Sequence, residues 1–243
     1  MIPKVIHYCW FGGNPIPADL KNYMKSWEKM CPDYKIIRWD ENNFDLECHP
    51  FLKSAYEAKA WAFMSDYARL KVVYENGGIY LDTDVELLKS LDFLRKYSCY
   101  IGVQQQEHLC ATGLGFGAEQ YNPVVKLLLD QYDGLTFSKE RIGGLICPYL
   151  NNKVFESLGY KYSEEKMVIA DVLILPPKYF DPVAPGEGNR ILKCAETISI
   201  HHYSASWMGQ KTAYKRSFIR LIGQERIIKI KKALKIIGNK FAI

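Results

Sequence analysis

The sequence predicts an α/β fold with a mostly parallel central sheet that is flanked by helices. Strand-like and helix-like segments alternate from the N-terminus, which is the order of a β–α–β unit. One helix-like segment ends in a glycine pair that leads directly into a short β-prone run, and Asp82 and Asp84 follow that run. Because such sheets bind ligands at the carboxyl ends of their strands, we expect the site beside these two aspartates.

The spacing of apolar side chains assigns the elements in chain order. Apolar, β-prone runs predict strands over residues 5–10, 34–39, 79–81, 100–104, 114–118, 168–175 and 198–203. Helical spacing predicts helices over residues 18–30, 65–76, 123–131 and 145–157. The alternation is not interrupted by an internal repeat or a low-complexity stretch.

The composition indicates a single α/β domain. A chain of 243 residues with 48% apolar and 14% aromatic residues can bury a full core. We expect no secretion signal and no membrane span, because the sequence lacks both a leader pattern and a long apolar run. The seven cysteines include no Cys-x-x-Cys pair. They predict reduced, core-filling thiols of a cytosolic protein and argue against a zinc site or a disulfide framework.

The segment that ends at Asp84 carries the strongest signal. Asp66 and Arg69 share a helical face with apolar residues, so both are directed toward the interior. Gly77 supplies the left-handed residue that ends this helix. In the strand that follows, side chains alternate, so Asp82 and Asp84 point the same way and form an oxygen pair suited to Mg²⁺ or Mn²⁺.

Each of these features also has a structural alternative. An Asp-x-Asp triplet is common in turns. Asp66 and Arg69 also fit an ion pair on a solvated helix face, which contributes about 0.2–0.5 kcal/mol. Trp10 follows a strand and precedes two glycines, so it is either a core side chain or a flat surface for a nucleotide base. Of His201 and His202, at the end of a β-branched run, one is expected to face the site, either as a ligand or as a structural hydrogen-bonding group.

The glycines of Gly113-x-Gly115-x-Gly117 do not indicate a dinucleotide-binding loop. They lie on a strand-like segment and lack the strand–turn–helix order of that motif. We interpret them as a place where a ligand approaches the backbone closely.

Three stretches together resemble the DxD-motif sugar transferases, specifically glycosyltransferase family 32. The stretches are residues 2–13, residues 65–84, and His202-Tyr203 with Ser206-Trp207. The relatives of this family include capsular-polysaccharide enzymes and, more distantly, the glucosylating bacterial toxins. The resemblance implies a GT-A type nucleotide-sugar-binding fold.

The resemblance also implies roles for individual residues. Trp10 would stack on the uracil of UDP, and Asp66 and Arg69 would orient the donor sugar. The implied donor-binding residues are Trp10, Asp66, Arg69, Tyr80, Asp82, Ser206 and Trp207. The implied metal ligands are Asp82, Asp84 and His202, with His201 as a substitute, and the implied catalytic residues are Asp66, Arg69, Asp82 and Asp84.

The implied reaction moves galactose, glucose or an N-acetylhexosamine from a UDP-sugar to a carbohydrate acceptor with retention of anomeric configuration. Mn²⁺ or Mg²⁺ would offset the charge that develops on the departing UDP. We expect a lipid-linked acceptor of capsule or exopolysaccharide assembly. Alternatives are a nucleotide-sugar hydrolase or a nucleotidyltransferase that uses the same metal site, and a non-catalytic binding module.

The C-terminal tail differs in charge from the rest of the chain. Residues 211–240 contain ten basic side chains and one acidic side chain, Glu225, while the whole chain carries a net charge of +5. At helical spacing, the apolar residues of this tail fall on one side and the lysines on the other. This pattern suits a helix that binds an anionic membrane surface or a helix that packs on the domain. We therefore expect a catalytic domain over residues 1–210, a basic amphipathic tail over residues 211–243, and a cytoplasmic protein peripheral to the inner face of the plasma membrane. Nucleic acid is not expected, because the positive charge is confined to the tail.

Overall fold

A computed structural model describes residues 1–185 and 190–204. The strands are β1 Val5–Cys9, β2 Lys35–Trp39, β3 Gly78–Tyr80, β4 Val85–Leu87, β5 Cys99–Val103, β6 Cys110–Ala118, β7 Met167–Ile169, β8 Val172–Leu175 and β9 Ser199–His201. The helices are α1 Ala18–Met30, α2 Pro50–Glu57, α3 Trp61–Asn76, α4 Pro123–Asp130, α5 Cys147–Ser157 and α6 Pro177–Phe180, with 3₁₀ turns at Asp92–Leu94 and Lys139–Leu145. Ser206, Trp207 and the predicted tail lie outside the described residues.

In the described part of the chain, seven strands form one sheet in the order β2-β1-β3-β6-β5-β8-β7. Strands β2, β1, β3, β5 and β8 run in one direction, while β6 and β7 run in the other. The prediction of a mostly parallel central sheet flanked by helices is therefore confirmed.

Three elements differ from the predictions for local reasons. The predicted strand over residues 168–175 is a hairpin of β7 and β8, because Ala170 and Asp171 both adopt positive φ angles of 46° and 61°. Strand β4 has only three residues, which is too short for a periodic pattern. The sequence patterns do not predict helix α2, because its N-cap is His49, whose Nδ1 accepts a hydrogen bond from the Phe51 amide at 3.1 Å.

Helix α3 ends at Gly77, as predicted. Gly77 has a φ of +64°, and its amide donates to the Val73 carbonyl at 2.8 Å. A Cβ atom at this position would lie 2.9 Å from the Gln120 amide nitrogen, so only glycine fits. The chain therefore turns directly from α3 into β3, whose carboxyl end carries the aspartates.

Strands β4 and β9 form a separate two-stranded antiparallel ribbon, in which Val85 is paired with His201. Helix α1 holds this ribbon by two hydrogen bonds. Trp27 Nε1 donates to the Val85 carbonyl at 2.8 Å, and the Leu87 amide donates to Ser26 Oγ at 2.8 Å. The ribbon therefore brings the residues around His201 next to the turn that contains Asp82 and Asp84.

The chain divides into two compact units, Met1–His202 and Tyr203–Ile243. The domain boundary predicted after residue 210 stays a prediction. Within the described ranges, no helix combines the length and apolar character that a membrane span requires. Five of the seven cysteines are buried, but Cys48 is half-buried and Cys194 is exposed, so not every thiol fills the core as expected.

Candidate active site

Asp82 and Asp84 lie in a tight turn between β3 and β4. The Leu81 amide donates to the His7 carbonyl of β1 at 3.1 Å, and the Val85 amide closes the turn on the Asp82 carbonyl at 3.0 Å. These two hydrogen bonds fix the turn on both sides. The aspartates therefore follow the carboxyl end of β3, where the sequence places them, although β3 itself ends at Tyr80.

His201 joins the two aspartates. Its Nε2 lies 3.1 Å from Asp84 Oδ1 and 3.9 Å from Asp82 Oδ2. One ligand atom from each of these three residues lies within 4.8 Å of the others. Two carboxylates and an imidazole suit a divalent cation that accepts oxygen and nitrogen ligands, so these residues fit the expected metal.

His202 occupies the opposite side of the ribbon, which corrects its assignment as the metal ligand. Its Nε2 lies 2.8 Å from Glu86 Oε2, and its ring stacks on Tyr23 at a centroid distance of 3.9 Å. Neighbouring residues at the end of a strand point in opposite directions. The sequence places one of the two histidines at the site but does not show which, because the choice depends on the pairing of β9 with β4.

The pKa of His201 is raised to about 9. Burial alone acts to lower this pKa, but the negative charges of Asp84 and Asp82 outweigh it and favour the imidazolium. Asp181, a fully buried residue after α6, also raises it. A cation that binds the imidazole must displace its proton, so its affinity rises with pH up to about 9.

The two oxygens of Asp82 have different surroundings. Oδ2 faces His201, whereas Oδ1 accepts a hydrogen bond from the Tyr80 hydroxyl at 3.0 Å and lies 3.3 Å from Arg69 Nη2. The same Arg69 nitrogen lies 2.9 Å from Asp66 Oδ1. Asp82 therefore connects the candidate metal ligands to the Asp66–Arg69 pair.

Asp66 and Arg69 do not form a solvated surface pair. The Arg69 side chain is 7% exposed and the Asp66 side chain 14% exposed. Burial raises the pKa of Asp66 to about 6, against the opposing effect of the Arg69 charge. At neutral pH Asp66 is thus ionised and stays paired with the guanidinium.

Tyr80 has a different position from the donor contact that the resemblance implies. It is 1% exposed, its hydroxyl donates to Asp82, and the Arg69 guanidinium lies 5.0 Å from the centre of its ring. Tyr80 therefore supports Asp82 and Arg69 from inside the protein.

Gly113 on β6 also has a role that differs from the prediction. A Cβ atom here would overlap the Asp82 carboxylate and would lie 2.9 Å from Arg69 Nη1. The missing side chain makes room for these two groups of the protein itself. The glycine spacing was visible in the sequence, but the neighbours of Gly113 were not.

Trp10 is partly exposed at the carboxyl end of β1, next to β3 in the sheet. Its Nε1 donates to the Asn14 carbonyl at 2.6 Å, which fixes the indole against the following loop. The next glycine, Gly12, lies against the Trp61 indole, where a Cβ atom would come within 2.8 Å. The indole of Trp10 is therefore not a buried core side chain.

Comparison with known proteins agrees with this site. The family model described as "Glycosyltransferase sugar-binding region containing DXD motif" matches residues 17–101. The chain is 36% identical over 219 residues to the uncharacterized glycosyltransferase L373 of Acanthamoeba polyphaga mimivirus, which covers 85% of this chain and 84% of that protein. The chain belongs to the DXD-motif glycosyltransferases.

Other glycosyltransferases match the chain at lower identity. Inositol phosphoceramide mannosyltransferase 3 of Schizosaccharomyces pombe is 29% identical over 119 residues, covering 47% of this chain and 33% of that protein. Lactosylceramide 4-alpha-galactosyltransferase of Pongo pygmaeus is 28% identical over 163 residues. The match covers 61% of this chain and 70% of that protein. The solved structure of a glycosyltransferase involved in glycosylation of the major capsid of PBCV-1 matches with a TM-score of 0.50 at 12% identity. The match covers 89% of this chain and 100% of that structure. The fold of this DXD-motif glycosyltransferase is of the GT-A type.

We predict that His201→Ala weakens Mn²⁺ binding by at least about tenfold, because it removes a ligand beside Asp82 and Asp84. The matched variant His202→Ala should change the Mn²⁺ affinity less than about twofold, although it loses the contacts with Glu86 and Tyr23. Mn²⁺ titration followed by electron paramagnetic resonance at pH 8 measures both affinities. Equal losses in the two variants would contradict the assignment of His201.

Proposed function

We propose that this chain transfers a hexose from a UDP-sugar to a carbohydrate acceptor, with Mn²⁺ or Mg²⁺ at Asp82, Asp84 and His201. The observation that carries this proposal is the shared carboxylate of Asp82. Its Oδ2 faces His201, and its Oδ1 lies 3.3 Å from Arg69, the partner of Asp66. A diphosphate bound through the cation would therefore have the acid–guanidinium pair close to its attached sugar.

The proposed roles of Asp66 and Arg69 follow from the chemistry of their side chains. Asp66 accepts hydrogen bonds from sugar hydroxyls, and Arg69 donates to oxygens of the sugar or the phosphate. The bound cation would stabilise the negative charge of the departing UDP. Retention of anomeric configuration rests on the resemblance to family 32 and is part of this proposal.

The base of the donor is proposed to stack on Trp10. Stacking on an aromatic ring tolerates different bases, so the indole supports a nucleotide without selecting uracil. One relative is named as a mannosyltransferase, so GDP-mannose should be tested as a donor together with the UDP-sugars.

The acceptor is proposed to be linked to a lipid. Two relatives are named for ceramide substrates, an inositol phosphoceramide and a lactosylceramide. These names support a glycan that is presented at a membrane. A role in capsule or exopolysaccharide synthesis is the more specific form of this proposal and rests on the resemblance to family 32.

Product analysis tests the proposed reaction. The full chain is incubated with Mn²⁺ and one of UDP-galactose, UDP-glucose, UDP-N-acetylglucosamine or GDP-mannose, with and without extracts of glycolipid acceptors. We expect transfer of the sugar, which Asp84→Asn should lower by at least about a hundredfold because it removes a ligand charge. The control Asp130→Asn changes only a surface pair with Lys126.

The alternatives give different products. Release of free sugar at the same rate with and without acceptor indicates a nucleotide-sugar hydrolase. Formation of a nucleotide-sugar from a sugar phosphate and a nucleoside triphosphate indicates a nucleotidyltransferase. Either result, without sugar transfer, would overturn the proposed function.

Trp10→Ala should weaken UDP binding by about 1–3 kcal/mol, the contribution of one base–aromatic contact. Trp10→Phe keeps a flat ring and should retain most of the affinity. Calorimetry in the presence of Mn²⁺ measures both variants. An unchanged affinity in a folded Trp10→Ala protein would remove Trp10 from the donor site.

The basic tail over residues 211–243 is proposed to bind anionic lipid next to such an acceptor. Each lysine near an anionic surface contributes about 1 kcal/mol, and salt weakens this attraction. Deletion of residues 224–243 should abolish co-sedimentation with phosphatidylserine vesicles at low salt, while UDP binding persists. A full-length protein that does not bind these vesicles would contradict the membrane role.

A further inference from the structure

The edge of the sheet that carries the site continues beyond the residues described above. Strands β1, β3, β5 and β8 all end at this edge, because they run in one direction. Trp10 follows β1 and Asp82 follows β3, so the proposed donor covers that half of the edge. In the sheet, β6 and then β5 and β8 lie on the other side of β3. The half formed by β5 and β8 is therefore the one that the nucleotide leaves open.

A hairpin stands on this open half, where the chain passes from β5 to β6. The Gln104 amide donates to the Leu109 carbonyl at 2.9 Å and closes the loop between them. Glu107 and His108 in this loop both have a left-handed backbone, with φ angles of 57° and 54°. This conformation costs free energy in residues other than glycine, and such strain is concentrated at functional sites. Two consecutive strained residues with large side chains therefore need a functional explanation.

Gln105 fixes the position of the hairpin. Its amide donates to Asp181 Oδ2 at 2.7 Å, and its side-chain nitrogen donates to the carbonyls of Asp181 and Arg190, at 2.9 Å in each case. In return, the Arg190 amide donates to Gln105 Oε1 at 3.0 Å. A ligand that binds to a loop held in this way pays little for ordering it.

The hairpin carries a stacked pair of rings, His108 and Tyr162, which we call the ring pair. The ring centroids lie 3.6 Å apart, and the planes differ by 5°. The hydroxyl of the buried Tyr160 donates to the His108 carbonyl at 2.8 Å, so the segment after α5 holds both the backbone and the ring of His108. His108 is exposed, and Tyr162 is 38% exposed. The ring pair is thus accessible at a fixed position.

These groups suit a sugar. A hexose has faces of C–H groups, which pack on the electron-rich face of an aromatic ring, and a rim of hydroxyls, which need donors and acceptors. Gln106 and Glu107 are exposed beside the ring pair and offer an amide and a carboxylate. The Arg190 side chain, 77% exposed, belongs to the segment that Gln105 holds.

The distance from the site indicates which part of an acceptor would reach the ring pair. Gly113 of β6 adjoins Asp82 and Arg69. His108 precedes Gly113 by five residues, which corresponds to roughly 16 Å of extended chain. This distance is longer than one sugar ring. The ring pair is therefore placed for a sugar unit other than the one that reacts.

We propose that the ring pair binds a sugar unit of an oligosaccharide acceptor, at a distance from the unit that receives the hexose. This inference rests on the proposed function, because it takes the acceptor to be a carbohydrate. It assigns the nucleotide-sugar to the half of the edge formed by β1 and β3, and the acceptor to the hairpin between β5 and β6.

The competing explanation is that the two rings only fasten the hairpin to the segment after α5. Tyr121 provides the matched comparison. It is 62% exposed, and its ring centroid lies 5.4 Å from that of Tyr74. It follows the carboxyl end of β6, which lies at the opposite edge of the sheet. Both tyrosines are exposed members of a ring pair, but Tyr162 is the one at the edge that carries the site.

An oligosaccharide array tests the binding without donor or metal. The labelled full chain is applied to immobilised monosaccharides and to oligosaccharides of increasing length. We expect binding to a subset of the oligosaccharides, which Tyr162→Ala should weaken at least about tenfold because it removes the ring on which the sugar packs. Tyr162→Phe keeps the ring and should keep most of the affinity, and Tyr121→Ala should bind like the wild type. Equal binding by Tyr162→Ala and Tyr121→Ala, or no binding of any oligosaccharide by the wild type, would overturn the proposal.

His108→Gly provides a second variant, because glycine adopts the left-handed conformation without strain. It should also weaken oligosaccharide binding, and thermal unfolding followed by circular dichroism shows whether each variant is folded. If the rings only fasten the hairpin, His108→Gly lowers the melting temperature and leaves the oligosaccharide affinity unchanged. An unchanged affinity in this variant would therefore contradict the proposal.

Failure of the proposed function gives a different result. If no hexose is transferred to any acceptor but Tyr162→Ala still loses oligosaccharide binding, the sugar-binding site stands and the transferase proposal fails. Where transfer occurs, Tyr162→Ala should raise the KM for long acceptors by a larger factor than the KM for short ones. An increase that does not depend on acceptor length would overturn the assignment of the ring pair to a distant sugar unit.

Discussion

The interaction on which the site depends is the pairing of the buried Arg69 guanidinium with two partly buried carboxylates, Asp66 and Asp82. Burial of a charge is costly without a partner, and two carboxylates this close would repel each other without the cation between them. Arg69 Nη2 approaches both, at 2.9 Å and 3.3 Å. The guanidinium lies over the Tyr80 ring, which adds a favourable contact within the protein. This arrangement brings the guanidinium and the two carboxylates together in a site that is only partly exposed to solvent.

Charge balance explains why the part of the site formed by Asp82, Asp84 and His201 is suited to a cation. Asp66, Asp82 and Asp84 carry three negative charges, and Arg69 supplies one positive charge. When no metal ion is bound, the protonated His201 supplies a second positive charge, because its pKa is raised to about 9. One negative charge then remains. A divalent cation that replaces the imidazole proton would neutralise the cluster, so the same carboxylates that stabilise the imidazolium also favour the metal.

Local spacing was sufficient to predict the residues that lie close together in the chain. The helical face that carries Asp66 and Arg69, the stop at Gly77 and the aspartate pair all follow from separations of a few residues. The ligand from β9 could not be predicted in this way. His201 and His202 are equivalent in the sequence, and only the pairing of Val85 with His201 separates them.

Long-range packing also explains how the site keeps its shape. Helix α1 has no predicted site residue, yet its Trp27 and Ser26 bind the ribbon that carries His201. Gly113 contributes only the absence of a side chain, which lets Asp82 and Arg69 approach β6. Catalytic groups must be held within a fraction of an ångström of their working positions by the residues around them. In this protein, the short motif around Asp82 supplies the acidic groups of the site, and α1 and β6 fix the positions of these groups and of the ribbon that carries His201.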